Sequence, residues 1–342
     1  MTKTESARAL NELTGVDDVV ARYGRPGPHA TVIMQFPPPG QAGDDRMVRW
    51  HVRRSELVDA GAADRALDLL DALVDALEPR GETVLLTADE TDATFCWLSD
   101  HTVGPLAHVG SCPALLAALD ELADRSPVIV AIVDHLGAEL FELDHLDLSE
   151  IGSVKGDHVQ THRHTGGDQA GYQRRAEAVY ERNADTIARQ ITEHAVHAGA
   201  RLVVLTGDDR EAAAVTDHLD THRFNVVTMQ AGARHDPHVA ERVRRAAIEQ
   251  SLHDRRTRRA TAVDHLREEL GRHALGVQGR AATAAAIAES RVATTFLDRS
   301  TPPATDTDLL ARDTLLFGGT VVVANDLGVT DGVAAIVRYA TE

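Results

Sequence analysis

The chain of 342 residues is poor in lysine, cysteine and aromatic side chains. Lys3 and Lys155 are the only lysines, so nearly all its basic residues are arginines. Two cysteines, Cys96 and Cys112, are too few for a disulfide framework and form no CxxC pair for zinc or redox chemistry. No apolar run approaches the roughly 18 residues needed to span a bilayer, and residues 1–21 lack the apolar core of a secretory signal. We therefore expect a cytoplasmic protein without a membrane segment.

The net charge of −18 opposes binding to nucleic acid, because phosphate contacts draw their affinity from Lys and Arg. One segment departs from this acidity, since seven arginines fall within residues 241–259. They are Arg242, Arg244, Arg245, Arg255, Arg256, Arg258 and Arg259. This basic patch is interpreted either as a phosphate-facing surface or as a solvated helix face with ion pairs.

Sequence motifs for the common cofactor sites are missing. The chain has no GxxxxGK[ST] loop, no GxGxxG after a strand, and no HExxH, EF-hand or GxSxG pattern. The eighteen histidines are scattered. We expect no cofactor and no metal site. One alternative stays open: Asp134, Asp144 and Asp208 end predicted strands, where a metal-dependent nuclease could gather carboxylates, although acidic residues also end strands as turn formers.

Periodicity predicts an α/β chain of three domains. Residues 1–126 form an N-terminal α/β domain, with a strand at 30–36, a helix through Leu67–Leu77, a strand pair at 83–87 and 94–98, and a helix from 113 to 124. Residues 127–250 form an RNase H-like middle domain with a mixed sheet. Residues 251–342 form an α/β/α sandwich.

The middle domain begins with a meander at 128–133, 138–143 and 151–155. A long helix of about seven turns is then predicted after Gln169, ending at Gly199. A strand at 201–206, a helix at 209–219 and a strand at 225–229 follow.

The C-terminal domain begins with helices at 262–270 and 281–288 and a strand at 293–297. A helix at 306–316 and strands at 320–324 and 333–339 complete it.

A glycine pair precedes the long helix in a basic setting. Gly166 and Gly167 are followed by Asp168 and Gln169. The surrounding basic and imidazole residues are His162, Arg163, His164, Arg174 and Arg175. Paired glycines make a flexible tip, and these neighbours are candidates for contacts with RNA backbone.

The segment GGDQAGYQRRAE at residues 166–177 resembles the central loop and helix start of the archaeo-eukaryotic class-1 release factor superfamily. It is more similar to the bacterial branch, which includes the Balon-like hibernation factors. Residues 313–316, 321–323 and 332–339 resemble the C-terminal domain of that superfamily. The resemblance implies binding in the ribosomal A site with rRNA contacts, and elongation factor Tu as a possible partner.

In canonical members of the superfamily a Gly-Gly-Gln loop enters the peptidyl transferase centre, where the glutamine positions water for hydrolysis of peptidyl-tRNA. Here Asp168 separates Gly167 from Gln169. One inserted residue shifts the glutamine by up to about 3.6 Å, against a tolerance near 1 Å for efficient catalysis. The resemblance therefore favours a hibernation factor that fills the A site without catalysis. Gln169 remains the candidate catalytic residue of the alternative, a peptidyl-tRNA hydrolase acting in peptide release or ribosome rescue.

Overall fold

The computed structural model describes most of the chain. The described residues are 11–25, 27–38, 44–78, 81–98, 104–123, 125–144, 147–157, 169–230, 238–272, 274–299 and 305–340. They form three sheets with helices between their strands, which confirms the predicted α/β class. The chain divides into two compact units, one made of residues 1–124 and 259–342 and the other of residues 125–258. The three-domain boundaries at 126/127 and 250/251 stay a prediction.

The first sheet of the larger unit has the order β1-β4-β3-β2-β5. Its strands are β1 Asn11–Glu12, β2 His29–Gln35, β3 Thr83–Ala88, β4 Ala93–Leu98 and β5 Leu106–Gly110. The helices of this segment are α1 Val16–Tyr23, α2 Asp44–Asp59, α3 Asp64–Ala76 and α4 Leu116–Ala123. The predicted strands and the α3 helix are confirmed, while α1, α2 and β5 were not predicted.

Both faces of this sheet are buried, and alternate residues of each strand enter different cores. On one face Val32 and Met34 pack with Trp50 of α2 and Leu70 of α3. On the other face Ile33 packs in a cluster that contains side chains from both chain segments of the unit. The first and last parts of the chain therefore share one core.

The C-terminal sheet has the order β11-β14-β12-β13. Its strands are β11 Gly276–Gln278, β12 Val292–Asp298, β13 Thr320–Ala324 and β14 Val333–Val337. The helices are α7 Val239–Gly271, α8 Arg280–Ala288 and α9 Thr305–Leu316. Side chains of α8 and α9 pack on one face, and Val263 and Leu266 of α7 pack on the other. This arrangement confirms the α/β/α sandwich.

A buried carboxylate joins the two chain segments of the larger unit. Oδ1 of Asp308, in the first turn of α9, accepts hydrogen bonds from Tyr23 Oη at 2.8 Å and from the backbone N–H groups of Leu115 and Leu116 at 2.9 and 3.0 Å. A side chain of the C-terminal segment thus caps helix α4 of the N-terminal segment. Burial raises the pKa of Asp308 to about 6 although its hydrogen-bond donors lower it. Burial and the neighbouring Asp308 also raise the pKa of Tyr23 well above its usual range.

A second polar link lies nearby in sequence. Asp120 of α4 forms ion pairs with Arg299, which follows β12, and with Arg259 of α7, whose Nη2 lies 2.8 Å from Oδ1. Helix α4 is therefore tied to three parts of the C-terminal segment.

The smaller unit holds a five-stranded mixed sheet with the order β10-β9-β6-β7-β8. Its strands are β6 Val128–Asp134, β7 Gly137–Asp144, β8 Asp147–Lys155, β9 Leu202–Gly207 and β10 Asn225–Thr228. Strands β6, β7 and β8 form the predicted antiparallel meander, whereas β9 and β10 are parallel to β6. The helices α5 Gln169–Ala198 and α6 Asp209–Asp217 pack on one face, and the first part of α7 packs on the other.

Candidate functional site

Only some of the residues predicted for the glycine loop and its surroundings are described by the structure. His162, Arg163, His164, Gly166, Gly167 and Asp168 lie outside the described residues. Helix α5 begins at Gln169, directly after them. Arg174 and Arg175 lie within its second turn, and the Arg174 side chain is exposed. The glutamine is therefore the first helical residue.

The N-terminal half of α5 is an arm that leaves the core of the smaller unit. No described side chain from 174 to 182 is buried, whereas burial starts at Asn183 and continues through Ile187 and Ile191. Gln169 precedes Asn183 by fourteen residues, which is about 21 Å along a helix. The arm, residues 169–182, thus extends from the buried part of α5 to Gln169.

The base of the arm is fixed by a two-way amide contact. Asn183 Oδ1 accepts the backbone N–H of Asp157 at 2.9 Å, and Asn183 Nδ2 donates to the Asp157 carbonyl oxygen at 3.2 Å. Asp157 follows strand β8, so the contact joins the end of this strand to α5. Residues 158–168 connect this fixed point with the far end of the arm.

Helix α6 contacts the arm beside this base. The Arg210 guanidinium lies over the Tyr180 ring, 5.4 Å from its centroid. His218 Nε2 lies 3.2 Å from Glu181 Oε1. Contacts on one flank therefore hold the arm where it leaves the core.

The predicted basic patch lies on α7 and is largely engaged with acidic side chains. Arg244 and Arg258 each pair with an acidic residue of the same helix at 2.9 Å, and Arg245 lies 3.9 Å from Glu241. Arg259 is bound to Asp120 within the larger unit, as described above. These pairs favour the solvated helix face over a continuous phosphate-binding surface. Arg256 is exposed, while Arg242 and Arg255 are partly exposed.

The three carboxylates of the nuclease alternative do not converge. Asp134 and Asp208 follow neighbouring parallel strands at the same edge, and the Asp208 N–H donates to Val133 O at 3.0 Å. Asp144 ends the antiparallel strand β7 at the opposite edge, about 20 Å away for a seven-residue strand. There it pairs with Arg125 at 3.0 Å.

Asp134 and Asp208 have local structural roles. Asp134 accepts the Leu136 N–H at 2.7 Å within the β6–β7 turn. Asp208 caps α6 by accepting the Arg210 N–H at 2.9 Å. Nearby Glu211 is buried, and burial together with Asp208 raises its pKa. The turn-forming interpretation of these aspartates is therefore the better one.

Across the described residues, no group of three or more His, Cys, Asp or Glu side chains is arranged to hold a metal ion. Among the helices that the structure describes, none combines the length and apolarity of a membrane span.

Comparison with known families identifies the segment that carries the arm. Residues 127–272 match the model of bacterial archaeo-eukaryotic release factor family 2. This part of the chain is therefore similar to the bacterial branch of the archaeo-eukaryotic release factor superfamily. The family model covers the sheet of the smaller unit, the glycine loop and the arm. It also covers the whole of helix α7. The resemblance found in the sequence is thereby confirmed for this segment.

Solved structures of the superfamily match at low identity. A ribosome-bound model of archaeal Pelota with ABCE1 is 12% identical, covers 97% of this chain and 96% of its own, and has a TM-score of 0.48. Pelota of Archaeoglobus fulgidus is 12% identical over 77% of this chain and 81% of its own, with a TM-score of 0.41. The archaeal translation termination factor aRF1 is 15% identical over 99% of both chains, with a TM-score of 0.26. No curated protein matches the chain.

Sequence reasoning missed Asn183. A signal for it was present, since Asn183 lies four and eight residues before Ile187 and Ile191 and so places a polar side chain on their buried stripe. A polar residue on such a stripe requires a hydrogen-bond partner. The partner could not be identified, because nothing in the sequence pairs residue 183 with residue 157.

Proposed function

We propose that this protein is a ribosome-associated, release-factor-like hibernation factor, similar to the Balon-like proteins, which occupies the A site without catalysis. The similarity of residues 127–272 to the superfamily supports the association with ribosomes. The observation that carries the non-catalytic part is the position of the glutamine. Asp168 separates it from the glycine pair, and Gln169 begins a helix.

A helical Gln169 is constrained in a way that opposes hydrolysis. As the first residue of helix α5, Gln169 does not have the backbone freedom of a glycine in a loop. Asp168 also adds a negative charge where an anionic transition state would form. Both features support occupancy of the site over chemistry in it.

The charge distribution supports an approach to RNA by the smaller unit. Residues 125–258 contain 17 Lys and Arg against 21 Asp and Glu, a net charge of −4. The other residues, which form the larger unit, carry the remaining −14. The unit that holds the arm is thus nearly neutral and can approach phosphate at a smaller electrostatic cost.

Sedimentation with ribosomes tests the association. We expect the protein to pellet with vacant ribosomes and to be displaced by tRNA in the A site. A protein that stays in the supernatant at both low and physiological salt would refute the proposal. Adding purified elongation factor Tu to the same assay tests this proposed partner, which should pellet in greater amount when the protein is present.

Peptide release tests the competing function, peptidyl-tRNA hydrolysis. We expect no release by the native protein on ribosomes that carry peptidyl-tRNA. Release that disappears in Gln169→Ala would show that the protein is a hydrolase. A variant with Asp168 deleted recreates Gly-Gly-Gln and is the matched control for the inserted residue.

A further inference from the structure

The contact between Asn183 and Asp157 is buried on the helix side and exposed on the strand side. Asn183 is 7% exposed, whereas Asp157 is exposed. The asparagine amide uses its acceptor and one donor on the two backbone groups of a single residue. Such a pair fixes both the position and the direction of the chain after β8, which one hydrogen bond would not do.

Gly156 provides the space for this amide. A Cβ added at Gly156 would lie 2.6 Å from Asn183 Nδ2 and 2.9 Å from Cγ. The Gly156 N–H donates to the Leu136 carbonyl oxygen at 2.8 Å, which fixes the same point to the β6–β7 turn. The end of β8 is therefore held by the sheet on one side and by α5 on the other.

This fixed point lies where the buried part of α5 gives way to the exposed arm. Beyond Asn183 the helix packs through Ala184, Ile187 and Ile191 into the core. Before it, the arm has no buried described side chain. Asp157 and the base of the arm are thus held at the same place.

We propose that Asn183 is a positioning residue, whose amide fixes Asp157 to α5 and thereby sets the direction of the arm. The consequence for ribosome binding rests on the proposed function, while the effect on the arm does not. Asp157 is an exposed residue, so water can replace the amide at its backbone groups when Asn183 is changed, and the fold should survive the change.

Distance measurements between two spin labels test the effect on the arm. Glu177→Cys on the arm and Asp217→Cys at the end of α6 introduce exposed labelling sites. The native Cys96 and Cys112 are buried, and burial raises the pKa of Cys112 to about 12, which keeps it unreactive. We expect one narrow distance distribution in the native background and a distribution about twice as wide in Asn183→Ala, with positional freedom at the anchor as the cause. A distribution that keeps its native width would overturn the proposal.

Gly156→Ala should also break the contact between Asn183 and Asp157, because the added Cβ would displace the Asn183 amide. It should widen the distribution when introduced alone and add nothing in the Asn183→Ala background, where the amide is gone. Additive effects would contradict the assignment. Gly152→Ala is the matched control, since Gly152 lies in β8 four residues before Gly156 and its Cβ would meet only His194 Nε2, at 3.8 Å.

Ribosome affinity separates this inference from the proposed function. We expect Asn183→Ala to bind about tenfold more weakly than native protein, because an arm that is no longer preorganised must be ordered on binding. If native protein fails to bind, the proposed function falls and the spin-label result alone decides the role of Asn183. If native protein and Asn183→Ala bind equally well despite a widened distribution, the positioning role at the ribosome is wrong.

Discussion

The buried carboxylate that caps helix α4 makes the stability of the larger unit depend on pH in an unusual direction. Asp308 is 3% exposed, and burial raises its pKa from 3.8 to about 6 in the folded protein. Between these two values the folded state binds a proton that the unfolded state has released. The free energy of unfolding must therefore fall as the pH rises through this window, and the stabilising contribution of protonation is lost above about pH 6.

The size of the effect follows from the difference in pKa. A shift of about two units corresponds to about 3 kcal/mol at 1.36 kcal/mol per unit. About 1.4 kcal/mol of it is gained between about pH 7.5 and pH 5. The other titratable groups with a raised pKa near this site are Tyr23 and Cys112, and burial moves the pKa of both further from this pH range.

The substitution Asp308→Asn removes the contribution of Asp308 protonation to the free energy of unfolding. The amide keeps an acceptor oxygen of the same shape at this position, and the side chain carries no charge at any pH. We expect its free energy of unfolding, relative to native protein, to be about 1.4 kcal/mol higher at about pH 7.5 than at pH 5. Urea unfolding at both pH values measures it. Asp306→Asn, in the same helical turn with a side chain 70% exposed, is the control. A difference between native and Asp308→Asn that does not vary with pH would refute the reasoning.

Three further substitutions, one of them with a matched control, test the packing and the helix ends by urea unfolding. Asp120→Ala leaves its two arginine partners facing each other and should cost about 2 kcal/mol, whereas Asp264→Ala, from an exposed pair, should cost less than about 0.5 kcal/mol. Equal losses would contradict the link. Asp208→Ala removes the cap of α6 and should cost about 1 kcal/mol, while no loss would show that water replaces it. Ile191→Ala, fully buried on α5, should cost about 3 kcal/mol, and a loss below about 1 kcal/mol would mean that the core collapses around it.

Most of helix α7 was not predicted, because a helix is recognised in a sequence only where its apolar residues repeat at helical spacing. Helix α7 is one continuous helix of 33 residues, yet only its last third was predicted. It contacts two cores, through Val243 and Ala247 near one end and through Val263 and Leu266 near the other. The stretch between them is rich in arginine, so no apolar stripe runs along it.

Helix α2 was missed for a similar reason. Only a few of its side chains are buried, among them Trp50 and Leu57, while Val48 and Val52 are exposed. Its many arginines conceal the helical period. In contrast, the meander and α5 were predicted correctly because their apolar residues repeat regularly along most of their length.

The candidate site likewise has features that local sequence predicts and contacts that it does not. The glycine pair, Gln169 and the helix after them are local features, and the sequence pattern indicated them. The contact of Asn183 with Asp157 and that of Tyr23 with Asp308 join residues 26 and 285 positions apart, and no local pattern specifies such pairs. Long-range polar contacts of this kind become visible only in the folded chain.

The shared core of the larger unit has a consequence for how the protein is made. Tyr23 cannot form its hydrogen bond to Asp308 until the ribosome has synthesised that residue, 285 positions later. At about 5 to 20 residues per second this delay is about 15 to 60 s, during which the apolar surface that faces the C-terminal segment has no partner. Residues 125–258 contain all of their own sheet and can fold within that interval. The arm-bearing unit should thus be complete in the nascent chain before the larger unit closes its core.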